Sequence, residues 1–349
     1  MSGVINLLMK SLRLFPKYIP MVVVVAVFIG LGAFITFYVH AATPIISVEP
    51  EGGILSNGAI TYTDSTASTG NSVKFAANTV NPLATSSNNC LQKPSSCGYP
   101  DATNTGVPPG TTLLASTSLS ITQDGTIIDS KDVTGSITIN ASNVIIKKSR
   151  ITNVSNTLAA IVMRSGSNLL IEDSEIDGGA AGIAIGYGEY TIRRSNVHGG
   201  NDALRAGDNS YVYDSYIHDL YRAVGTHNDV VQDINGQNVL FQHNTLLAYN
   251  GVPGAGITAG DPMNSIFQIG NQTGNISNVV FDNNIVNGGN YSFNANWTNL
   301  DAGLYSASGI RIVNNRFGRD YRYGPKANMR TSLVVWANNI WDDTGAVLP

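Results

Sequence analysis

Charge is scarce in this chain, and its gaps are informative. Only 13% of the 349 residues are Asp, Glu, Lys or Arg. Residues 1–48 hold no Asp or Glu, although Lys10, Arg13 and Lys17 stand among them. With those three of the 20 Lys and Arg set aside, 17 remain against 24 acids, a balance of −7. That argues against a nucleic-acid partner, which needs a basic stripe. Cysteine is nearly absent too. Cys90 and Cys97 are the only two, in a Pro/Ser/Asn loop, and two thiols make a poor zinc site. Outside the cytosol they are expected to form one local disulfide. Helical patterns of useful length with caps are missing between residues 143 and 341.

The long apolar run comes early. Met21 to Val39 is 19 residues without a charge, enough to cross a bilayer. Cations on its near side put the N-terminus in the cytoplasm and everything after Ala41 outside. Val39-His40-Ala41 also fits a small-residue cleavage site. Residues 1–41 are therefore expected to be a signal peptide or a membrane anchor, and the remainder extracellular, secreted or held at the cell membrane. Residues 42–80 read as a small β extension with strands at Ile45–Val48, Ala59–Tyr62 and Ser72–Phe75. Residues 81–110, rich in Pro, Ser, Asn and Gly, read as a linker carrying the disulfide. Residues 111–349 read as one β domain.

What fills that domain is repetition. Asn143-Val-Ile-Ile-Lys-Lys-Ser149-Arg-Ile151 opens a phrase that recurs eight times. Its polar column is Ser149, Ser174, Ser195, Ser215, Asn244, Asn284, Asn315 and Asn339. Two residues later stand Ile151, Ile176, Val197, Ile217, Leu246, Val286, Phe317 and Trp341. Three residues earlier stand Ile146, Ile171, Ile192, Val212, Phe241, Phe281, Ile312 and Trp336. Such periods mean stacked coils. With short β-branched runs alternating at period two, the expectation is an all-β parallel β-helix. Each column becomes a stack about 4.8 Å per step, and the Ser/Asn column an internal ladder at a turn.

Asn104-Thr-Gly-Val-Pro-Pro-Gly-Thr-Thr112, the coil columns and Asn315-Arg-Phe-Gly-Arg-Asp-Tyr-Arg-Tyr-Gly324 resemble bacterial exported right-handed parallel β-helix repeat proteins of the pectate-lyase-like superfamily. The resemblance spans roughly residues 100–345 and implies a polysaccharide lyase or hydrolase with a groove along one sheet face, or an adhesin. The complete motif sets of pectate lyases and polygalacturonases are missing. Val48-Glu-Pro-Glu-Gly-Gly53 and Ala67–Phe75 are similar to the opening of certain carbohydrate-binding β-sandwich modules, with most of a module's length absent.

Chemistry is carried by a second phrase: Asn201-Asp202-Ala-Leu-Arg205, His227-Asn228-Asp229-Val-Val-Gln232-Asp233 and Asn264-Ser265-Ile-Phe-Gln268. Aligned, these stack Asp202 on Asp229 and form a polar row of Arg205, Gln232 and Gln268, with Arg164 a further coil away. Stacked carboxylates repel, so one holds a proton, an Arg neutralises them, or a cation bridges them. Ca²⁺ is the cation that oxygen ligands there would take. Expected catalytic groups are Asp202, Asp229, His227 and Arg205. Expected substrate contacts are Gln232, Gln268, Arg164, Asp233, Tyr321 and Arg322, the last two from a cationic, aromatic segment at 315–330. Asn-Asp is also what turns prefer, so a purely structural role competes evenly. His198 and His218 share a turn offset and read as a surface ladder. The Gly/Pro-rich stretch between Leu246 and Asn278 reads as a loop walling the groove.

Overall fold

A computed structural model describes residues 60–63, 71–74, 89–223, 225–251 and 260–349. The segment 1–41, the strand expected at Ile45–Val48 and the middle of the loop after Leu246 lie outside the described residues. No helix among the described residues is long and apolar enough to cross a membrane. Contacts divide the chain into two units, 1–81 and 82–349. Of the first, Ile60–Thr63 and Asn71–Lys74 form one antiparallel pair, close to two of the expected strands.

The second unit is nearly all parallel strand in stacked sheets, consistent with a parallel β-helix. Its two large sheets have nine and seventeen strands, and Asn250–Gly251 with Gly260–Asp261 adds a short antiparallel pair. The larger sheet holds two interleaved ladders. One runs through Arg150–Thr152, Glu175–Asp177, Asn196–His198 and their successors, and is called here the turn wall. The other runs through Ile183–Gly186, Asp202–Ala206, Asp229–Asp233, Ser265–Gly270 and Tyr291–Asn296, and is the groove wall.

Both apolar columns stack as the repeats dictate. Ile146, Ile171, Ile192, Val212, Phe241, Phe281, Ile312 and Trp336 are consecutive partners in the nine-stranded sheet. Ile151 through Trp341 are consecutive partners on the turn wall. Parallel pairing at constant offset makes each column a continuous apolar rod, because a one-residue slip would turn every side chain outward. Phe281 sits at the thick end of the core, its ring 4.6 Å from Phe241 and 4.3 Å from Phe267. Truncating such a ring costs about 3–5 kcal/mol.

Between these walls the chain turns on one residue in the left-handed region. Lys148, Asp173, Arg194, Asp214, His243, Asn283, Asn314 and Asn338 all have φ between 47° and 58°. The next residue is the ladder Ser or Asn, wholly buried in all eight coils. Each Ser hydroxyl donates to the carbonyl two residues back and accepts a backbone N–H of the preceding coil, that of Lys131 for Ser149 and that of the previous ladder Ser for the other three, as Ser174 does from Ser149 at 3.1 Å. Each Asn reaches further. The Asn284 amide donates to the Phe241 carbonyl and to Asn315 Oδ1, while its Oδ1 accepts the Asn244 N–H and side-chain amide. The buried polar groups of the ladder are thereby paired from coil to coil, as burial in a closed tube requires.

Residues 89–110 are not a free linker. They form a strap along the outside of the turn wall, rooted by three contacts. The Leu91 N–H donates to Asp342, the Tyr99 hydroxyl to Asn283 at 2.6 Å, and the Gly106 N–H to the Arg194 carbonyl. Cys90 and Cys97 are joined by a disulfide within the strap. Cys90, Leu91 and Tyr99 bury a small second core against Leu247 and Ile285. Apolar residues on the outer face of the late coils explain the strap: without it they would meet water.

Candidate functional site

The site grows from the groove wall. In each of its strands two consecutive residues enter the core, as with Ala203-Leu204, Val230-Val231 and Ile266-Phe267, all fully buried. Residues three apart therefore share the outer face. Asp202 and Arg205 do so, with Nη2 3.4 Å from Oδ2. Offsets of 27 and 36 residues set the column Asp202, Asp229, Ser265, and with a further offset of 26 the row Arg205, Gln232, Gln268, Asn294. The expected stacking of the two aspartates is thus present. The Asp229 N–H donates to Asp202 Oδ1 at 3.1 Å.

An asparagine ladder at the preceding corner fixes this column. The Asn228 amide donates to Asn201, Asn264 donates to Asp229 Oδ1 at 2.7 Å, and Asn290 donates to Asn264. The Ser265 hydroxyl donates to the same Asp229 oxygen. Asp229 Oδ2 is buried without a well-formed hydrogen bond, although the Gln232 amide is near enough to favour its charge. Burial raises the Asp229 pKa, against the bonds from Ser265 and Asn264. Asp202 is pushed up to about 7, first by burial and then by the charge of Asp229, with Arg205 opposing. Carboxyls stacked this closely disfavour each other's charge.

Below the pair lies a groove of about 710 Å³, entered past exposed His227 and floored by Gln232, Gln268 and Asn294. The Asn294 amide donates to Gln268 Oε1 at 3.0 Å, which orients these two amides of the floor. The far wall is Asn296 to Asp301, where Arg330 makes two 2.6 Å bonds to Asp301. Trp297 is buried in this wall and its indole N–H donates to the Asn328 carbonyl. The excursion after Leu246 is tied back at its base, where Asp261 pairs with Arg222 and Arg222 reaches Asn228.

Other expected site residues fall elsewhere. Arg164 is exposed and outside the polar row, because Val162 is the residue in register with Gly186, the close neighbour of Arg205. Asp233 cannot touch a substrate. It has no exposure, pairs with Ala206 and Ile269 in the core column, and caps the turn N–H of Gly236 at 2.6 Å. Tyr321 tilts against Trp341, and neither it nor exposed Arg322 lines the groove. The cationic segment around them is largely neutralised: Arg316 pairs with Asp342, Arg319 with Asp343 and Arg330 with Asp301. His198 and His218 are register partners on the turn wall, with rings 5.6 Å apart.

The aspartate pair does not fit Ca²⁺, which takes about six to eight oxygen ligands. Asp229 Oδ1 is already engaged by Asn264 and Ser265, and a guanidinium stands beside Asp202. Among the described residues no group of three or more His, Cys, Asp or Glu side chains is placed to hold a metal.

Sequence reasoning missed Asn294, Asn296 and Gln272 as groove residues. The signal was present: Phe293-Asn294 repeats Phe267-Gln268 and Val231-Gln232 in the next coil. Comparison with protein-family models, with curated proteins and with solved structures finds no match to this chain.

Proposed function

We propose that this chain is an exported, right-handed β-helix protein of the pectate-lyase-like kind that cleaves a polysaccharide in the groove beside Asp202 and Asp229. One observation carries the reading: two carboxyls stack on successive coils, Asp229 in the lining of an amide-floored groove and Asp202 bonded beside it in the same column. Glycoside hydrolysis needs this division, an acid to protonate the leaving oxygen and a carboxylate to act as base or nucleophile. Asp202 is the acid, because the charge of Asp229 helps to hold its proton. Asp229, which belongs to the groove's lining, is the carboxylate. Arg205 orients Asp202, His227 lies at the entrance, and Gln232 and Gln268 bind sugar hydroxyls. Hydrolysis is favoured over β-elimination because Arg205 is turned to Asp202 rather than left for a substrate carboxylate. The N-terminal apolar run with its flanking cations, and the disulfide, support export.

A non-catalytic glycan-binding surface protein is the second reading, favoured by the near-complete burial of Asp229. A panel of neutral and acidic polysaccharides, assayed for new reducing ends and for unsaturated products, separates the readings. Reducing ends without unsaturation are expected. Unsaturated products would replace hydrolysis by elimination, and binding without cleavage would leave only the second reading.

A further inference from the structure

The groove's charge is what identifies its ligand. Its lining carries two carboxylates, Asp229 and Asp301, against a single guanidinium, Arg330, and the His227 imidazole. Arg330 is not available to a ligand, because both of its terminal nitrogens are bonded to Asp301 at 2.6 Å. The other guanidinium nearby, Arg205, faces Asp202. Asp301 and Arg330 cancel one another, so an anionic polymer entering here would leave its hydration shell and find no uncommitted guanidinium to answer its charge.

What the floor does offer is neutral and two-sided. Gln232, Gln268 and Asn294 come from three successive coils, about 4.8 Å apart, and each amide is both a donor and an acceptor. Sugar hydroxyls have the same dual character, and the coil spacing is close to the rise of an extended hexose chain. No aromatic face is presented: Trp297, the aromatic residue of the lining, is 3% exposed with its N–H already used. Recognition therefore runs through hydroxyl–amide hydrogen bonds rather than ring stacking.

We infer that the groove takes a neutral, hydroxyl-rich polysaccharide lying along the coil axis, one sugar against each amide step, and that with Arg330 tied to Asp301 it offers acidic glycans no cation to bind. This rests on the glycan-groove reading above and narrows it to one substrate class.

The test is binding of the full chain to a soluble neutral β-glucan and to polygalacturonate of similar length, by affinity electrophoresis and calorimetry. Both are run at ionic strengths of about 0.01 M and about 1 M, where screening differs most. The neutral glucan is expected to bind with an affinity that changes less than about twofold between the two salts. Gln268→Ala should weaken it about tenfold. Asp301→Asn frees Arg330 and should bring measurable, salt-sensitive polygalacturonate binding. Preferential binding of polygalacturonate by the unaltered chain overturns the charge argument but keeps the groove as a glycan site. Binding of neither polymer, with no cleavage of either, overturns both. Neutral-glucan binding that is unmoved by Gln268→Ala places the ligand elsewhere and refutes the inference.

Discussion

Replacing Asn284 by Ala tests the physical basis of the coil most sharply. Asn284 has no solvent exposure, and its amide makes four side-chain hydrogen bonds spanning three coils. Alanine strands the Phe241 carbonyl, the Asn244 N–H and one N–H of the Asn244 amide. Asn315 Oδ1 keeps its bond from the Asn284 backbone. Three buried orphans at about 1–3 kcal/mol each, partly relieved by relaxation, predict a loss of about 5 kcal/mol. Asn284→Ser is the control. A Ser there can accept the Asn244 N–H as Ser215 accepts that of Ser195, but it leaves the Phe241 carbonyl unmet. Its cost should be about 2 kcal/mol. Chemical denaturation of the three proteins gives the ranking, and hydrogen exchange at Asn244 locates the damage. A loss under about 1 kcal/mol for alanine, or serine no better than alanine, would refute the ladder as the source of stability.

Three further outcomes follow from particular residues. Burial raises the Asp233 pKa from 3.8 to about 6, so between those values the folded state binds more protons than the unfolded one and stability falls as pH rises. Asp233→Asn keeps an acceptor for the Gly236 N–H, and its stability relative to the parent should grow by at most about 3 kcal/mol between acid and alkaline pH, read by thermal melts. Cys90→Ser opens a small loop in the strap and should cost about 2 kcal/mol of strap stability, with faster exchange over residues 89–101 and little change in the coil. Lys148 is exposed with φ 48°, a conformation asparagine tolerates better and which Asn283, Asn314 and Asn338 already adopt at this turn. Lys148→Asn should therefore raise the melting temperature, by about 0.5 kcal/mol in stability.

The coil was legible because stacking converts sequence columns into contacts. Once Ser149 through Asn339 were aligned, the partners of Ile146 and Ile151 followed without knowing any loop. The aspartate stack was legible for the same reason, since 27 residues is one turn of the chain. Arg164 was misplaced because the row runs from Arg205 through Gly186 to Val162, and neither of those last two carries a polar side chain to mark the register. Asp233 was misread because the parity of a strand with two consecutive inward residues cannot be counted from its end. The strap was invisible for a different reason. An irregular segment that packs on a finished surface has no period of its own, and only the apolar character of Leu247 and Ile285 on an outer face hinted that something covers them.

The most direct measurement is glycan cleavage by the parent chain, Asp202→Asn and Asp229→Asn across pH 5–8, with folding checked by melting. The parent should release reducing ends and lose rate as Asp202 gives up its proton around pH 7. Each variant should melt like the parent yet fall by at least about a hundredfold in rate. A parent that cleaves with undiminished rate in both variants would contradict the assignment of these two carboxyls.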